Sequence, residues 1–332
     1  MRMKKKAAIA VAAFVLPTIT TGAHAFEFGA AAALQKPGVA LGAAAAAPPP
    51  GLYGFDQFFT YQGRLVGPGT PRDADGSASG TISSAAAHGF VYVPGWTFLG
   101  ASYDAVAVVP FATLSVGPPV NFNSSGMHNS YFANELSWKL GDSGFFIKAG
   151  LGLYAPTGTQ QGANGLANVG NPWWTFQPEF VVSYLKDGWN LTANVFDEIN
   201  TANSITDYRS GDVLHAEFTA TKTIGNWTIG PVAYYVGQIT GDRSSAFYHD
   251  TIFVNRYDVW AAGGLLGYNF GPVQVSLWGT QELSATASGG TAGPPGIDTA
   301  AVAKGFSVFA QLNYRIWAPE EASPPKLSLF HK

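Results

Sequence analysis

Residues Asn171 to Asn200, NPWWTFQPEFVVSYLKDGWNLTANVFDEIN, constrain the fold more tightly than any other stretch. Every second residue from Trp174 gives Trp174, Phe176, Pro178, Phe180, Val182 and Tyr184. The alternate set is Trp173, Thr175, Gln177, Glu179, Val181 and Ser183. One face is apolar and the other mostly polar, the period-2 mark of a strand between two environments. Lys186-Asp187-Gly188 predicts a tight turn. The chain then returns with Trp189, Leu191, Ala193 and Val195 on one face and Asn190, Thr192, Asn194 and Glu198 on the other. Each arm is about as long as a tilted membrane-crossing strand, roughly 9–11 residues. Aromatic rings crowd the ends, as interfacial girdles do. This hairpin is the expected repeat of an all-β, single antiparallel transmembrane barrel.

Composition agrees with that reading. Charged residues are 12% of the chain, about half the usual ~25%. Aromatics reach 14% and glycine numbers 40. The first 25 residues read as an export signal: Arg2, Lys4, Lys5 and Lys6, then the apolar run Ala7–Leu16, then the small-x-small site Ala23-His24-Ala25. The formal charge is −3, and loss of those four cations leaves −7, which argues against a nucleic-acid partner. No cysteine is present, so disulfides and Cys-metal sites are excluded. No later stretch is a transmembrane-helix candidate, yet a closed barrel satisfies every backbone group that lipid cannot.

Twelve strands are expected, with ten or fourteen as alternatives. They begin at roughly Leu52–Arg64, Ser79–Val93, Trp96–Val116, His128–Leu140 and Phe145–Tyr154. The opening hairpin follows, then Leu214–Thr221, Trp227–Ile239, Ile252–Phe270, Val273–Leu283 and Phe306–Ile316. Connections alternate long and tight along the chain, which predicts long external loops and tight periplasmic turns. GPPVNFNSSGM before strand four belongs to a long loop. Residues 26–50 suit a periplasmic lead-in or a segment inside the lumen, with a disordered linker favoured. Residues 51–317 form the barrel. Residues 318–332 carry Pro319, Pro324 and Pro325 and read as a periplasmic tail, leaving open whether Trp317 or Phe330 serves assembly.

Alternation sends Asp56, Asp104, Glu135, Glu179, Glu198 and Glu217 into the lumen, with Arg64, Lys148, Arg315 and His215. In strand one this puts Asp56, Thr60, Gln62 and Arg64 inside and Tyr53, Phe55, Phe59 and Tyr61 outside. Phe58, Trp96, Phe98, Tyr154, Phe196 and Phe309 are the expected lumen aromatics. Two readings of the charges compete: a cluster that selects or orients solute, or carboxylates paired with Arg and Lys that fix register and fill the bore. His215 with Glu217 is too small a set for a metal site. His128 and His249 lie near serine-rich loops, but no spacing singles out a nucleophile. No cofactor and no enzymatic activity are expected.

Several segments resemble the meta-pathway phenol degradation protein family. They are PPGLYGFDQFFTYQG at Pro49–Gly63, PGWTFLGASYDAVAVVP at Pro94–Pro110 and AGLGLYAPTG at Ala149–Gly158. GDVLHAEFTATK at Gly211–Lys222 and GPVAYYVGQITGD at Gly230–Asp242 complete the set. The resemblance implies an outer-membrane barrel of a Gram-negative bacterium, a channel for passive uptake of small hydrophobic, phenol-like compounds. A general porin-like pore and a structural or adhesive barrel are the alternatives. Expected partners are outer-membrane lipid, a small hydrophobic solute and the barrel-assembly machinery.

Overall fold

A computed structural model describes residues 30–31, 33–161, 169–250, 256–288 and 300–319. The expected export signal, the tail beyond Pro319 and the expected start of strand ten at Ile252 fall outside the described residues. The barrel strands are β1 (Gly51–Val66), β2 (Gly80–Val93), β3 (Ala101–Val116), β4 (Ser130–Lys139), β5 (Phe145–Ala155) and β6 (Thr175–Tyr184). β7 (Trp189–Asn200), β8 (Val213–Ile224), β9 (Trp227–Gln238), β10 (Tyr257–Asn269), β11 (Val273–Ala287) and β12 (Ala301–Trp317) complete the set. Each strand pairs antiparallel with its chain neighbour, and β12 returns to β1 from Val302↔Val66 to Trp317↔Leu52. The sheet is therefore a closed twelve-stranded barrel, a membrane-spanning form without sheet edges. No described helix is long and apolar enough to cross a membrane.

Turn chemistry explains the tight connections. Asp187 and Gly188 both take positive φ, 53° and 77°, the backbone of a two-residue hairpin turn. Aromatic pairs mark that rim on the outer wall: Phe145 with Tyr184 at 5.1 Å and Trp227 with Tyr268 at 4.6 Å between ring centroids. Higher on the outer wall stand exposed Phe132, Phe176, Trp260 and Phe306.

Three local departures from the sequence expectation have visible causes. β3 begins at Ala101 rather than Trp96, because Leu99 and Gly100 at positive φ fold Thr97–Phe98 back onto Ala101–Ser102. Phe122–Met127, expected within a loop, is a strand paired with Phe111–Val116. It is separated from β4 at His128-Asn129, where the His128 amide donates to the Pro110 carbonyl. β11 carries a register shift against β10 between Trp260 and Ala261, which lets it run past Leu283 to Ala287.

The lumen is filled on one side by the segment before β1. Ala30–Ala31 pair in parallel with Ala301–Val302 at the outer end of β12. Residues 33–50 then descend through the bore to β1. The linker favoured from composition is thus corrected for 33–50: these residues lie inside the barrel. Leu41 packs in the largest core cluster with Tyr234, Leu265, Trp278 and Phe309. Gly38 and Gly42 take φ of +91° and +90°, and a Cβ at Gly42 would sit 2.7 Å from Leu265 Cδ1, so both conformation and space call for glycine.

The register of β12 makes a testable statement about faces. Ala310 lies between Leu277 and exposed Phe58 on the outer wall, whereas Gln311 lines the lumen. Ala310→Arg should cost roughly 2–4 kcal/mol of folding stability if near the bilayer midplane, and Gln311→Arg clearly less. Denaturant-induced unfolding from lipid vesicles measures both, and equal losses would contradict the register.

Candidate functional site

The site is the lumen itself: an internal segment strapped to buried carboxylates, with a cavity beside it. Glu198 on β7 accepts from the amides of Leu34 and Gln35, each at 2.7 Å. Glu217 on β8 accepts from Gly38 and Ala40 at 2.7 and 3.0 Å. Below them Gly42 donates to Thr219 Oγ1 at 2.9 Å and Ala45 to Ser183 Oγ at 2.8 Å. Asn190 and Trp278 donate to the carbonyls of Gly42 and Gly38. Glu198 also faces His215 Nε2 at 3.1 Å, and the His215 ring stacks on Phe196 with centroids 4.3 Å apart. His215 and Glu217 therefore serve the strap, and among the described residues no group of three metal-ligating side chains is assembled.

A second anchor uses Glu282 on β11, which accepts from the hydroxyls of Tyr61 and Tyr234, each at 2.8 Å, and from the Gly305 amide at 2.6 Å. The strap's Lys36 lies 3.7 Å from it and over the Tyr61 ring.

A third group lies across one rung of β3–β6. Asp104 pairs in register with Glu135, Glu135 with Gly150, and Gly150 with Glu179. Gly150 leaves the space into which its neighbours lean: a Cβ there would meet Glu135 Cγ at 3.3 Å and Glu179 Oε2 at 3.4 Å. Lys148 Nζ is bonded to Glu135, and Asn194 donates to Glu179 at 2.6 Å.

Between this rung, the strap and strands β1–β3 lies a cavity of about 850 Å³. Its β1–β3 wall is largely apolar, with Phe55, Phe59, Ala87, Val106, Val108 and Pro110 beside Gln57, Thr81 and Ser83. Asp104, Glu135, Lys148 and Glu179 lie on its polar side, and Lys36, Glu282 and Gln311 line it as well.

The structure moves two expected lumen residues outside. Tyr53, Phe55, Gln57, Phe59 and Tyr61 line the cavity, so Asp56 and Arg64 sit on the opposite, outer face with exposed Phe58. Asp56 is bonded there to His88 Nδ1 at 2.5 Å. Arg64 is exposed near the outer end of β1, opposite Lys304. Polarity misled in this strand because its inner face is the apolar cavity wall. Arg315 shares the face of Gln311 but is exposed at the end of β12 and does not line the cavity. Of the expected lumen aromatics, Tyr154, Phe196 and Phe309 are buried inside. Phe58 faces out, and exposed Trp96 stacks on Tyr103 beside the short strand that carries Phe98. Sequence reasoning missed Glu282, because the register shift disturbs alternation nearby. It also missed Lys36 and Gln35, which only the strap's path brings inside.

Comparison places this geometry among known barrels. The profile of the family described as "Putative MetA-pathway of phenol degradation" matches residues 67–294. Curated proteins give no match. Among solved structures, the COG4313 outer membrane channel from Pseudomonas putida F1 is similar at TM-score 0.65 and 13% identity, covering 84% of this chain and 99% of that one. A monoaromatic hydrocarbon channel, the TodX deltaS2S3 mutant, gives TM-score 0.41 and 10% identity over 84% of this chain and 94% of that one. The beta domain of the Bordetella autotransporter BrkA gives 0.41 and 13% over 79% and 99%. The COG4313 likeness is one of fold.

If carboxylates hold the strap, removing one should loosen it. Glu217→Ala leaves two buried amides without their acceptor, at a cost of about 1–3 kcal/mol each. Conductance across planar bilayers should rise in Glu217→Ala and rise further in the Glu198→Ala, Glu217→Ala double variant. A cysteine at Ala40 should also become more reactive toward a soluble thiol reagent. Unchanged conductance and reactivity would show that the strap is held by its apolar packing instead.

Proposed function

Because the chain belongs to the MetA-pathway phenol degradation family, we propose that it is an outer-membrane channel for passive uptake of small hydrophobic, phenol-like aromatic compounds. One observation carries this: the strap occupies much of the bore and leaves beside it a cavity walled by Phe55, Phe59, Val106, Val108 and Pro110. An open porin keeps a continuous polar channel, whereas this lumen offers apolar contact to a solute about the size of a benzene ring. Aromatic contacts are worth about 0.5–1.5 kcal/mol beyond area burial, enough to hold a ring briefly without trapping it. Carboxylates on the polar side repel anions, so neutral solutes pass better than benzoate-like ones. The protein contributes a path and a filter; the chemistry belongs to enzymes inside the cell.

Within this reading residues 1–25 direct export, 26–50 are the N-terminal lead-in segment, 51–317 form the barrel and 318–332 remain in the periplasm. The barrel-assembly machinery inserts the chain, with Trp317 or Phe330 as its terminal aromatic.

Deletion of the gene should slow growth on limiting neutral aromatics and leave growth on succinate unchanged. Liposomes carrying the purified barrel should resist swelling in sugars of graded size. Free passage of sugars, with aromatic uptake untouched by deletion, would assign the protein to general diffusion.

A further inference from the structure

One amide side chain interrupts the aromatic wall of β1. The inner face of that strand reads Tyr53, Phe55, Gln57, Phe59 and Tyr61, and all five line the cavity. Tyr53 donates to the Pro49 carbonyl and Tyr61 to Glu282. Gln57 stands between two phenyl rings, which offer it no donor. Its Nε2 donates to the Val39 carbonyl of the strap and to Gln311 Oε1, each at 2.8 Å. A backbone carbonyl only accepts, so the orientation of the amide is fixed with nitrogen toward the strap. Gln311 Nε2 in turn donates to Asn313 Oδ1 at 2.7 Å, so donation along these side chains runs away from Gln57. Both amide hydrogens of Gln57 are spent, and its Oε1 is left over. That oxygen accepts from no described donor and is open to the cavity rather than sealed in the wall. Across the ladder Gln57 faces Ala87 on β2, and Ala87 faces Pro110 on β3, neither of which carries a side-chain donor.

Resting on the uptake reading above, we propose that the cavity holds a subsite for a phenolic hydroxyl: the solute's O–H donates to Gln57 Oε1 while its ring lies against Phe55 or Phe59. Residues two apart on one strand face are about 7 Å apart, so a single ring can touch a phenyl neighbour while its oxygen reaches the amide. Ala85 and Ala87, opposite Phe59 and Gln57 on β2, are small and line the same space. An open carbonyl oxygen holds water, and a ring entering beside it displaces that water. A phenolic O–H restores the lost bond. An ether or a methyl group leaves the oxygen unmet, and a site built around a hydrogen bond rejects the analogue that lacks it. A ring bearing a carboxylate would bring acceptors to an acceptor. The subsite therefore ranks uncharged rings by whether they carry a donor, which an apolar wall alone cannot do.

The experiment uses the mature full-length barrel in detergent and two neutral probes, 4-fluorophenol and 4-fluoroanisole. They differ only in whether the ring oxygen carries a proton or a methyl group. Binding is followed by fluorine NMR at neutral pH against protein-free micelles. 4-Fluorophenol should bind about fivefold tighter, the scale of one neutral hydrogen bond. The ratio should fall toward one in Gln57→Leu, which removes the acceptor and keeps a side chain in the wall. Loosening of the strap through the lost Val39 contact would weaken both probes alike, so the ratio reports on the hydroxyl alone. Heat-modifiable electrophoretic migration checks that the variant folds. Should it not, the unbranched Gln57→Met takes its place, and the wild-type ratio decides if neither folds. Equal or tighter binding of 4-fluoroanisole by the wild-type barrel, or a ratio unchanged in a folded Gln57 variant, overturns the hydroxyl subsite while leaving hydrophobic uptake standing. Absence of saturable binding by either probe overturns both.

Discussion

Closure of β12 on β1 is the constraint on which everything else rests. Lipid offers no donors or acceptors, so each backbone N–H and C=O at membrane depth needs a partner within the sheet. The β12–β1 ladder, from Val302↔Val66 to Trp317↔Leu52, removes the last two edges at once. A closed barrel then has an inside, and the inside must be filled or hydrated. Here it is filled in part by the chain's own leading segment, whose backbone amides meet carboxylates projecting from β7 and β8. Buried acids that would be a burden in an empty apolar bore become anchors once those amides arrive.

The wall is not uniform around its circumference. Along β6 and β7 the usual rule holds: Phe176, Phe180, Leu191 and Val195 face out, and Gln177, Glu179, Asn194 and Glu198 face in. Along β1 the polarity is reversed. Phe55 and Phe59 face the cavity, while Asp56, Thr60 and Gln62 lie on the outer side. The outer Asp56 is not left bare, because His88 on β2 pairs with it across the ladder. An apolar inner wall is what a cavity for uncharged rings requires, and the local reversal of alternation is its consequence. Farther round, Ser84 and Thr113 on the same outer face bond to each other at 2.9 Å, again satisfying polar groups within the wall.

Much of this architecture is legible in the sequence. Twelve strands, their order and the long–tight rhythm of their connections follow from period-2 alternation and from turn residues such as Asp187-Gly188. The inward acids of β3 to β8 were readable for the same reason: in those strands one side is lipid and the other is polar. β1 was unreadable by that rule, since both of its environments are partly apolar, and Tyr53 or Phe59 could face either way. The strap was unreadable for a different cause. It binds through backbone amides, so an Ala- and Gly-rich stretch with little side-chain signal serves as well as any other. Its glycines carried a trace of the fact, because Gly38 and Gly42 take positive φ where Glu217 and Leu265 crowd the backbone.

Attachment through the backbone also sets what the strap can and cannot do to a passing solute. Its backbone amides are largely spent on Glu198, Glu217, Thr219 and Ser183, and toward the cavity it presents Ala33, Val39, Ala40 and Ala43, with Gln35 and Lys36 as its polar side chains. The strap thus completes an apolar enclosure opposite β1–β3. The polar lining residues that the strap does not engage include Asp104, Glu135, Lys148 and Glu179 on the rung of β3 to β6. Two rows of acids on neighbouring strands divide the work: those of β7 and β8 hold the strap, and those of β3 to β6 gather around Lys148 at the cavity margin.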